Sequence, residues 1–186
     1  MLAPASWTAD MVRALPDDGN RYEVIDGELL VTPAPSWTHQ RAVRELMAAL
    51  LGYVDEHKTG EVMLSPSDVE LDPRGLVQPD VFVVGLVDGR LPKQWNSGAP
   101  LLLVIEVLSP GTARTDRQTK RRRYQRAGIP EYWIVDTDAR VIERWRPEDL
   151  RPEVLADTIK WMPGPAPAPL TIELPRLFAR VHAETS

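Results

Sequence analysis

Apolar residues recur with helical spacing in one long segment of the chain. They follow at i, i+3, i+4, i+7 and i+11: Val43, Leu46, Met47, Leu50 and Val54. This spacing predicts an amphipathic α-helix over about residues 36–57. Ser36 precedes the apolar positions and is a favourable N-cap residue. We therefore expect one long helix that packs through a single face.

Two other segments, 81–84 and 101–105, are apolar without polar alternation. Strands of this kind are covered on both faces, which predicts the centre of a sheet between two layers. Four more segments are also predicted to be strands: 61–64, 68–71, the buried 132–135 and the more exposed 141–145. Asp26-Gly27 separates two further β-rich runs and predicts an N-terminal β-hairpin. The order of elements predicts an α/β (α+β) fold, with helices flanking a central mixed β-sheet.

Length and composition fit one folded domain. The 186 residues are 43% hydrophobic and 26% charged, a balance that disordered chains lack. We expect a single domain over residues 1–186, with a core at about 20–146 and a Pro-rich C-terminal extension at 147–186. Residues 163–169 predict an extended connector, because successive prolines fix φ and remove backbone donors.

The composition also excludes several classes of site. The chain has no Cys, which excludes disulfides, thiolate catalysis and zinc ribbons. The N-terminal residues do not resemble a signal peptide, and no apolar stretch approaches the roughly 20 residues of a membrane span. These features favour a cytoplasmic protein with no membrane partner.

Two carboxylates stand at the ends of the most apolar segments. Glu106 interrupts one of them, and Asp80 directly precedes the other. If the two strands are antiparallel neighbours with Val84 opposite Leu102, Asp80 lies opposite Glu106. Opposed side chains have Cβ atoms about 4.5–5.5 Å apart, so a divalent cation such as Mg²⁺ or Mn²⁺ would relieve the repulsion. Alternatively, Asp80 only ends a strand and Glu106 pairs with an arginine.

A strongly basic segment follows these strands. Residues 114–126 contain seven basic side chains and one acid, a local net charge of +6 in a chain of −5. The bases are Arg114, Arg117, Lys120, Arg121, Arg122, Arg123 and Arg126. Thr115 and Gln118 fit a capping box that would begin a helix ending near Ala127. Gly128 would terminate this helix.

Helical spacing gives this segment two faces. Asp116, Lys120 and Tyr124 share one face at i, i+4 and i+8, which points Lys120 toward Glu106. The arginines then fan outward, where they match a phosphate backbone. A solvated helix without a ligand is the alternative.

Together these features predict metal-assisted phosphodiester hydrolysis. Asp80 and Glu106 would hold a divalent ion that polarises the phosphate and lowers the pKa of a bound water. A lysine beside the ion would orient that water and stabilise the developing negative charge.

Several motifs resemble a known family. They are Gln-Pro-Asp at 78–80, Leu-Val-Ile-Glu-Val-Leu-Ser-Pro at 103–110, Asp116 with Lys120, and Ala-Gly-Ile-Pro-Glu-Tyr-Trp-Ile-Val-Asp at 127–136. Tyr-Glu-Val-Ile-Asp-Gly-Glu at 22–28 and Pro-Ala-Pro-Ser at 33–36, followed by His39, fit the same pattern. Over about residues 8–146 the chain resembles the bacterial family of putative restriction endonucleases in the PD-(D/E)XK nuclease superfamily.

The resemblance implies a restriction endonuclease-like fold and a Mg²⁺-dependent endonuclease that acts on DNA. It implies that Asp80 and Glu106 are metal ligands. The family lysine normally lies two residues after the glutamate, where this chain has Leu108. The resemblance therefore implies that Lys120 of the following helix replaces it.

Two further residues are candidates for auxiliary roles. His39 and Glu28 are candidates for the edge of the site, although a core-edge histidine and a surface hairpin carboxylate are the alternatives. Five tryptophans show no spacing that predicts base stacking: Trp7, Trp37, Trp95, Trp145 and Trp161.

A nuclease that cuts both strands of DNA commonly needs two active sites, so we expect a homodimer.

The sequence is compatible with three functions, of which the DNA nuclease is the first. Leu108 at the lysine position favours an alternative, a catalytically inactive nucleic-acid-binding or assembly module. Hydrolysis of a smaller phosphate ester is the third.

Overall fold

The computed structural model describes residues 6–32, 34–92, 100–164 and 168–183. Trp95 and residues 165–167 of the predicted Pro-rich connector lie outside these ranges. The α-helices in the described ranges are α1 (Ala9–Arg13), α2 (Trp37–His57), α3 (Ala113–Thr115), α4 (Arg121–Arg126) and α5 (Leu174–Val181). A π-helical turn, Asp116–Lys120, joins α3 to α4.

Most described strands belong to two sheets. The strands are β1 (Arg21–Ile25), β2 (Glu28–Thr32), β3 (Gly60–Leu64), β4 (Val69–Asp72), β5 (Gly75–Val77), β6 (Val81–Gly85), β7 (Leu101–Val107), β8 (Tyr132–Asp136), β9 (Val141–Trp145), β10 (Glu153–Leu155), β11 (Thr158–Trp161) and β12 (Leu170–Glu173). Among them a six-stranded sheet has the order β10-β9-β8-β7-β6-β3, and a four-stranded sheet has the order β2-β1-β5-β4. β11 pairs with β12 in a separate ribbon.

The six-stranded sheet is the centre of the molecule. β7 and β8 run parallel, and the other neighbouring pairs are antiparallel, so the predicted mixed sheet is confirmed. One face packs against α2 and α5, with Leu46 and Phe178 in the same apolar cluster. The other face packs against the four-stranded sheet and α4, with Ile25 and Tyr124 in a second cluster. β6 and β7 are covered on both sides, as their unbroken apolar sequence predicts.

The predicted long helix and hairpin are also confirmed. α2 begins after Ser36, whose side chain accepts a hydrogen bond from the backbone N–H of His39. β1 pairs with β2 through a turn in which Asp26 and Gly27 both have positive φ. Asparagine, aspartate and glycine favour this conformation, which allows a two-residue connection.

Two local expectations are wrong. Val84 lies opposite Leu101 rather than Leu102, because an irregularity follows the pairs Val81–Ile105 and Val83–Leu103. Thr115 is not an N-cap: its backbone is already helical and its side chain makes no capping hydrogen bond. The helical segment begins two residues earlier, at α3.

The C-terminal part of the chain contributes to the core. Ile159, Trp161, Phe178 and Val181 are buried in the cluster that includes α2. The Tyr53 hydroxyl on α2 also donates a hydrogen bond to the carbonyl of Ala168, at 2.9 Å. A core that ends near residue 146 is therefore too short. Of the helices in the described ranges, none has the length and apolar character needed to cross a membrane.

Replacing Phe178 with alanine tests this role of the C-terminal helix. Phe178→Ala removes a fully buried ring and should lower the free energy of unfolding by about 3–5 kcal/mol in urea denaturation. The control is Leu150→Ala, because Leu150 is 95% exposed and its loss should change stability by less than about 0.5 kcal/mol. Equal midpoints for the two variants would show that α5 is not part of the core.

Candidate active site

The pairing of two central strands places Asp80 beside Glu106. Val81 of β6 lies opposite Ile105 of β7, so the residues that precede and follow this pair are neighbours. Asp80 Oδ2 accepts a hydrogen bond from the backbone N–H of Val107 at 2.9 Å. Both carboxyl groups are buried. The strand pairing that brings the two predicted ligands together is therefore the one that the sequence predicts.

Asp80 is held by two basic side chains. Arg21 Nη1 donates a hydrogen bond to Asp80 Oδ1 at 2.9 Å, and His39 Nε2 lies 3.3 Å from the same oxygen. Burial acts to raise the pKa of Asp80, but His39 and Arg21 outweigh it and bring the pKa to about 2. Asp80 is consequently a carboxylate at neutral pH. His39, predicted only as an auxiliary residue, is part of the site.

Lys120 is the cation at the centre of the site. Its Nζ lies 2.9 Å from Glu106 Oε1, 2.9 Å from Glu23 Oε2 and 3.8 Å from Asp116 Oδ1. Burial acts to lower the pKa of Lys120, but Glu106, Glu23 and Asp116 outweigh it and raise the pKa. The hydroxyl of Tyr124 donates a second hydrogen bond to Glu106 Oε1, at 3.0 Å. Lys120 thus remains protonated and binds carboxylates from three elements.

A π-helical turn carries Asp116 and Lys120. Both residues are buried, as their shared face in the sequence predicts. The hydroxyl of Tyr132 donates to the backbone carbonyl of Asp116 at 3.2 Å, which fixes the turn against β8. Single π-helical turns occur frequently at functional sites, because the widened turn changes which side chains point inward.

Glu23 and Arg21 also belong to the candidate site, although the sequence does not single them out. Glu23 on β1 is fully buried, and its Oε1 accepts a hydrogen bond from the backbone N–H of Gln78 at 2.8 Å. Both residues lie on the face of β1 that points toward the six-stranded sheet. The sequence feature that could have identified them is the alternation Arg21, Glu23, Ile25, which overlaps the stretch 22–28 that resembles the family. An alternation of charged residues resembles a solvent-exposed face, so it does not reveal that Glu23 is buried.

The buried site carries an excess of negative charge. We call Glu23, Asp80, Glu106 and Asp116 the carboxylate cluster. Arg21 and Lys120 are the permanent cations beside it, so an excess of two negative charges remains when all four acids are ionised.

The pKa values of two members of the cluster respond to this excess. Burial, together with the charges of Asp80, Asp116 and Glu23, raises the pKa of Glu106 well above its usual value, against the opposing effect of Lys120. Burial raises the pKa of Asp116 to about 6, again against Lys120. Both carboxyl groups therefore bind a proton more readily than an exposed acid does, because they are buried and because Arg21 and Lys120 do not balance the charge of the four acids.

The donor set of the cluster fits a hard divalent cation. All four side chains offer oxygen, the ligand atom that Mg²⁺ and Mn²⁺ prefer. Asp116 Oδ1 and Glu23 Oε2 are buried, and within the described ranges their compensation comes from the ammonium of Lys120, at 3.8 and 2.9 Å. No three His, Asp or Glu side chains in the described ranges already converge as a complete metal-binding group. The fit therefore rests on the chemistry of the oxygen donors and not on a preformed coordination shell.

A cavity of about 530 Å³ opens over the cluster. Its walls include the start of α2 at Ser36 and Thr38, the loop 108–112 after β7, and His182 after α5. The cavity is within the size range of sites that bind small molecules. Asp80, Glu106 and Asp116 line this cavity, so three of the four carboxylates border an accessible pocket.

The arginines of the basic segment are largely paired with acids from other elements. Arg117 lies 2.9 Å from Asp136 and 2.7 Å from Glu143. Arg123 pairs with Asp72, and Arg126 pairs with Asp26. These acids lie far away in the sequence. The segment therefore presents less free positive charge than its local net charge of +6 predicts.

The remaining predicted DNA contacts differ in exposure. Arg121 stacks over the ring of Trp145, with its guanidinium carbon 4.6 Å from the ring centroid. Arg114 and Arg122 are exposed and have no ion pair within the described ranges. In this segment, Arg114 and Arg122 are therefore the basic side chains whose charge is available to an external ligand.

Two further predicted positions lie away from the chemistry. Glu28 is exposed at the start of β2, opposite Ile25, and does not line the cavity. Leu108, which stands where the family lysine is expected, packs partly buried against the second apolar cluster. The lysine that contacts Glu106 is Lys120.

Removing the central cation should destabilise the protein. Lys120→Met leaves three carboxylates without their common partner and should lower the free energy of unfolding by about 3–5 kcal/mol. Adding Glu23→Gln removes one of these charges. The double variant should be more stable than the sum of the single changes predicts, by about 1–3 kcal/mol in urea denaturation. Additive effects would contradict the proposed coupling, and Lys160→Met on the exposed face of β11 is the control.

Comparison with known proteins agrees with this architecture. The family model Uma2, described as "Putative restriction endonuclease", matches residues 9–174. No curated protein matches the chain. A crystal structure from Anabaena variabilis, described as a putative nuclease belonging to DUF820, shares 20% of its residues with the chain.

That structure has the same fold as this chain. It superposes with a TM-score of 0.76, over 94% of this chain and 99% of its own. The likeness confirms the predicted fold, a mixed sheet flanked by helices. Because the family model covers most of the sequence, the protein belongs to the Uma2 family of putative restriction endonucleases.

Proposed function

We propose that the protein is a metal-dependent nuclease that hydrolyses DNA phosphodiester bonds with Mg²⁺ or Mn²⁺ held by Asp80 and Glu106. The observation that carries this proposal is the buried charge excess. Asp80, Glu106 and Asp116 line the cavity. When they and Glu23 are all ionised, the four acids exceed the permanent cations Arg21 and Lys120 by two charges, and one divalent ion would balance them. Membership of a family described as restriction endonucleases supports the same conclusion.

The residues divide the chemistry between them. A divalent ion held by Asp80 and Glu106 would polarise a phosphate and lower the pKa of a bound water. Lys120 is protonated, because its pKa is raised, and it therefore stabilises negative charge on the phosphate rather than accepting a proton. Glu23 and Asp116 hold Lys120 in place, and Tyr124 orients Glu106 through its hydroxyl.

A second candidate function has a specific observation in its favour. Arg21 already compensates Asp80 at 2.9 Å, and the position two residues after Glu106 is Leu108. A catalytically inactive module with the same fold would keep such contacts and bind nucleic acid without cutting it. Cleavage activity separates the two candidates.

Loss of either proposed ligand should abolish cleavage. Glu106→Gln and Asp80→Asn should lower the rate on plasmid or single-stranded DNA by at least about a hundredfold, because each loses a group on which the charge of the site depends. Chelation of the metal with EDTA should have the same effect on the unmodified protein.

Glu28→Gln is the matched control for this assay. It makes the same chemical change at an exposed carboxylate outside the cavity and should leave the rate unchanged. Cleavage at wild-type rates by both ligand variants would contradict the nuclease proposal. Absence of cleavage by every variant and by the unmodified protein would favour the inactive module. A homodimer, which we also propose, would place two such sites on a duplex.

A further inference from the structure

Trp37 is almost entirely exposed at the start of α2. Its relative exposure is 83%, although tryptophan is usually buried to a large extent. Its sequence neighbours Ser36 and Thr38 line the cavity above the carboxylate cluster. A large aromatic ring therefore stands in solvent at the rim of the candidate active site. The spacing of tryptophans in the sequence does not predict this position.

Two arginines continue from Trp37 along the same face of α2. Arg41 and Arg44 follow at i+4 and i+7, so the three side chains form one stripe. The stripe lies on the side of the helix opposite to the buried residues Ala42 and Leu46. One helical turn, about 5–6 Å, separates each member from the next. We call these three residues the α2 stripe.

The charge of the α2 stripe is available to a ligand. Arg44 is 62% exposed, and its ion pair in the described ranges is with its sequence neighbour Glu45. Arg41 has no ion pair within those ranges. The helix α5 adds the exposed Arg176 and Arg180 beside Glu45. In this region four arginines are opposed by Glu45 and Glu173.

Part of the charge of the basic segment is already compensated. Its Arg117, Arg123 and Arg126 are paired with acids of other elements, and Lys120 is buried in the site. On the side of α2, a phosphate chain that leaves the cavity can meet Arg41, which has no ion pair within the described ranges, and the exposed Arg44, which is paired with its sequence neighbour Glu45. An exposed aromatic ring next to cations is the combination that binds single-stranded nucleic acid.

We propose that the α2 stripe binds an unpaired segment of the DNA substrate, an inference that rests on the proposed function. One base stacks on Trp37, and the adjoining phosphates contact Arg41 and Arg44. The occupant is single-stranded, because paired bases in a duplex do not expose their faces to a side chain. The cavity has the volume of a small-molecule site rather than that of a duplex-wide groove, which agrees with this choice.

The test measures binding in the Glu106→Gln background, so that DNA is not cut. The probes are a fluorescein-labelled oligothymidylate of about 15 nucleotides, the same strand with abasic sites, and a duplex. Trp37→Ala should weaken binding of the intact strand about tenfold, and Trp37→Phe should retain most of the affinity. Removing bases from the strand should weaken its binding to the Glu106→Gln parent but should not weaken its binding to the variant that also carries Trp37→Ala.

Arg41→Ala tests the phosphate contact separately. It should reduce the dependence of log affinity on log salt concentration by about 0.7, the value for one phosphate contact on a single strand. Arg151→Ala removes the same charge from an exposed position outside the cavity and should leave the slope unchanged. Val154→Ala is the matched control for loss of an exposed apolar side chain.

The outcomes separate this inference from the nuclease proposal. If Trp37→Ala binds the single strand as tightly as its parent, the inference is overturned even when the unmodified protein cuts DNA. If binding depends on Trp37 while the unmodified protein does not cut, the inference stands and the hydrolytic function fails. Failure of the parent to bind the single strand overturns the inference as well.

Discussion

The ion pairs of Lys120 join the parts of this molecule on which the site depends. Glu23 comes from the four-stranded sheet, Glu106 from the six-stranded sheet and Asp116 from the π-helical turn. Each charge is costly to bury alone, and each is compensated only while the three elements stay together. The cation therefore fixes the relative position of the two sheets and of the turn. The same contact provides a protonated group beside the cavity floor.

The site is electrically asymmetric for identifiable reasons. Asp80 lies against Arg21 and His39, which bring its pKa to about 2 despite burial. Glu106 lies in the middle of the negative charge, where burial and its acidic neighbours raise its pKa. Environments that push the pKa values of neighbouring acids apart are typical of catalytic sites. In this chain the asymmetry has a structural origin. Arg21 of β1 contacts Asp80, which precedes β6, whereas Lys120 of the π-helical turn contacts Glu106 of β7.

The sequence predicts the site residues that violate a local pattern. Glu106 is recognisable because it interrupts an apolar strand, and Asp80 because the same strand pairing places it alongside. Lys120 follows from its i, i+4 relation to Asp116. Glu23 is not predicted, because a charged residue in a strand where polar and apolar residues alternate resembles a solvent-exposed residue. Its burial depends on how the second sheet packs, which no local pattern encodes.

Long-range pairing limits the other expectations. Arg126 meets Asp26 from the hairpin turn, so the local charge of the basic segment overstates its free charge. Phe178 and Trp161 complete the core from a segment whose prolines suggest an extension. Trp37 is the converse case, because its exposure depends on the direction of the first turn of α2. In the first two cases the deciding contact joins residues that are distant in the sequence.

That the buried charge excess holds a divalent cation is tested most directly by anomalous diffraction from crystals grown with Mn²⁺. The account predicts an anomalous peak in contact with carboxylate oxygens of Asp80 and Glu106, and its loss in crystals of Glu106→Gln. A site without a peak, in which Arg21 remains on Asp80 and Lys120 on Glu106 at saturating Mn²⁺, would contradict it.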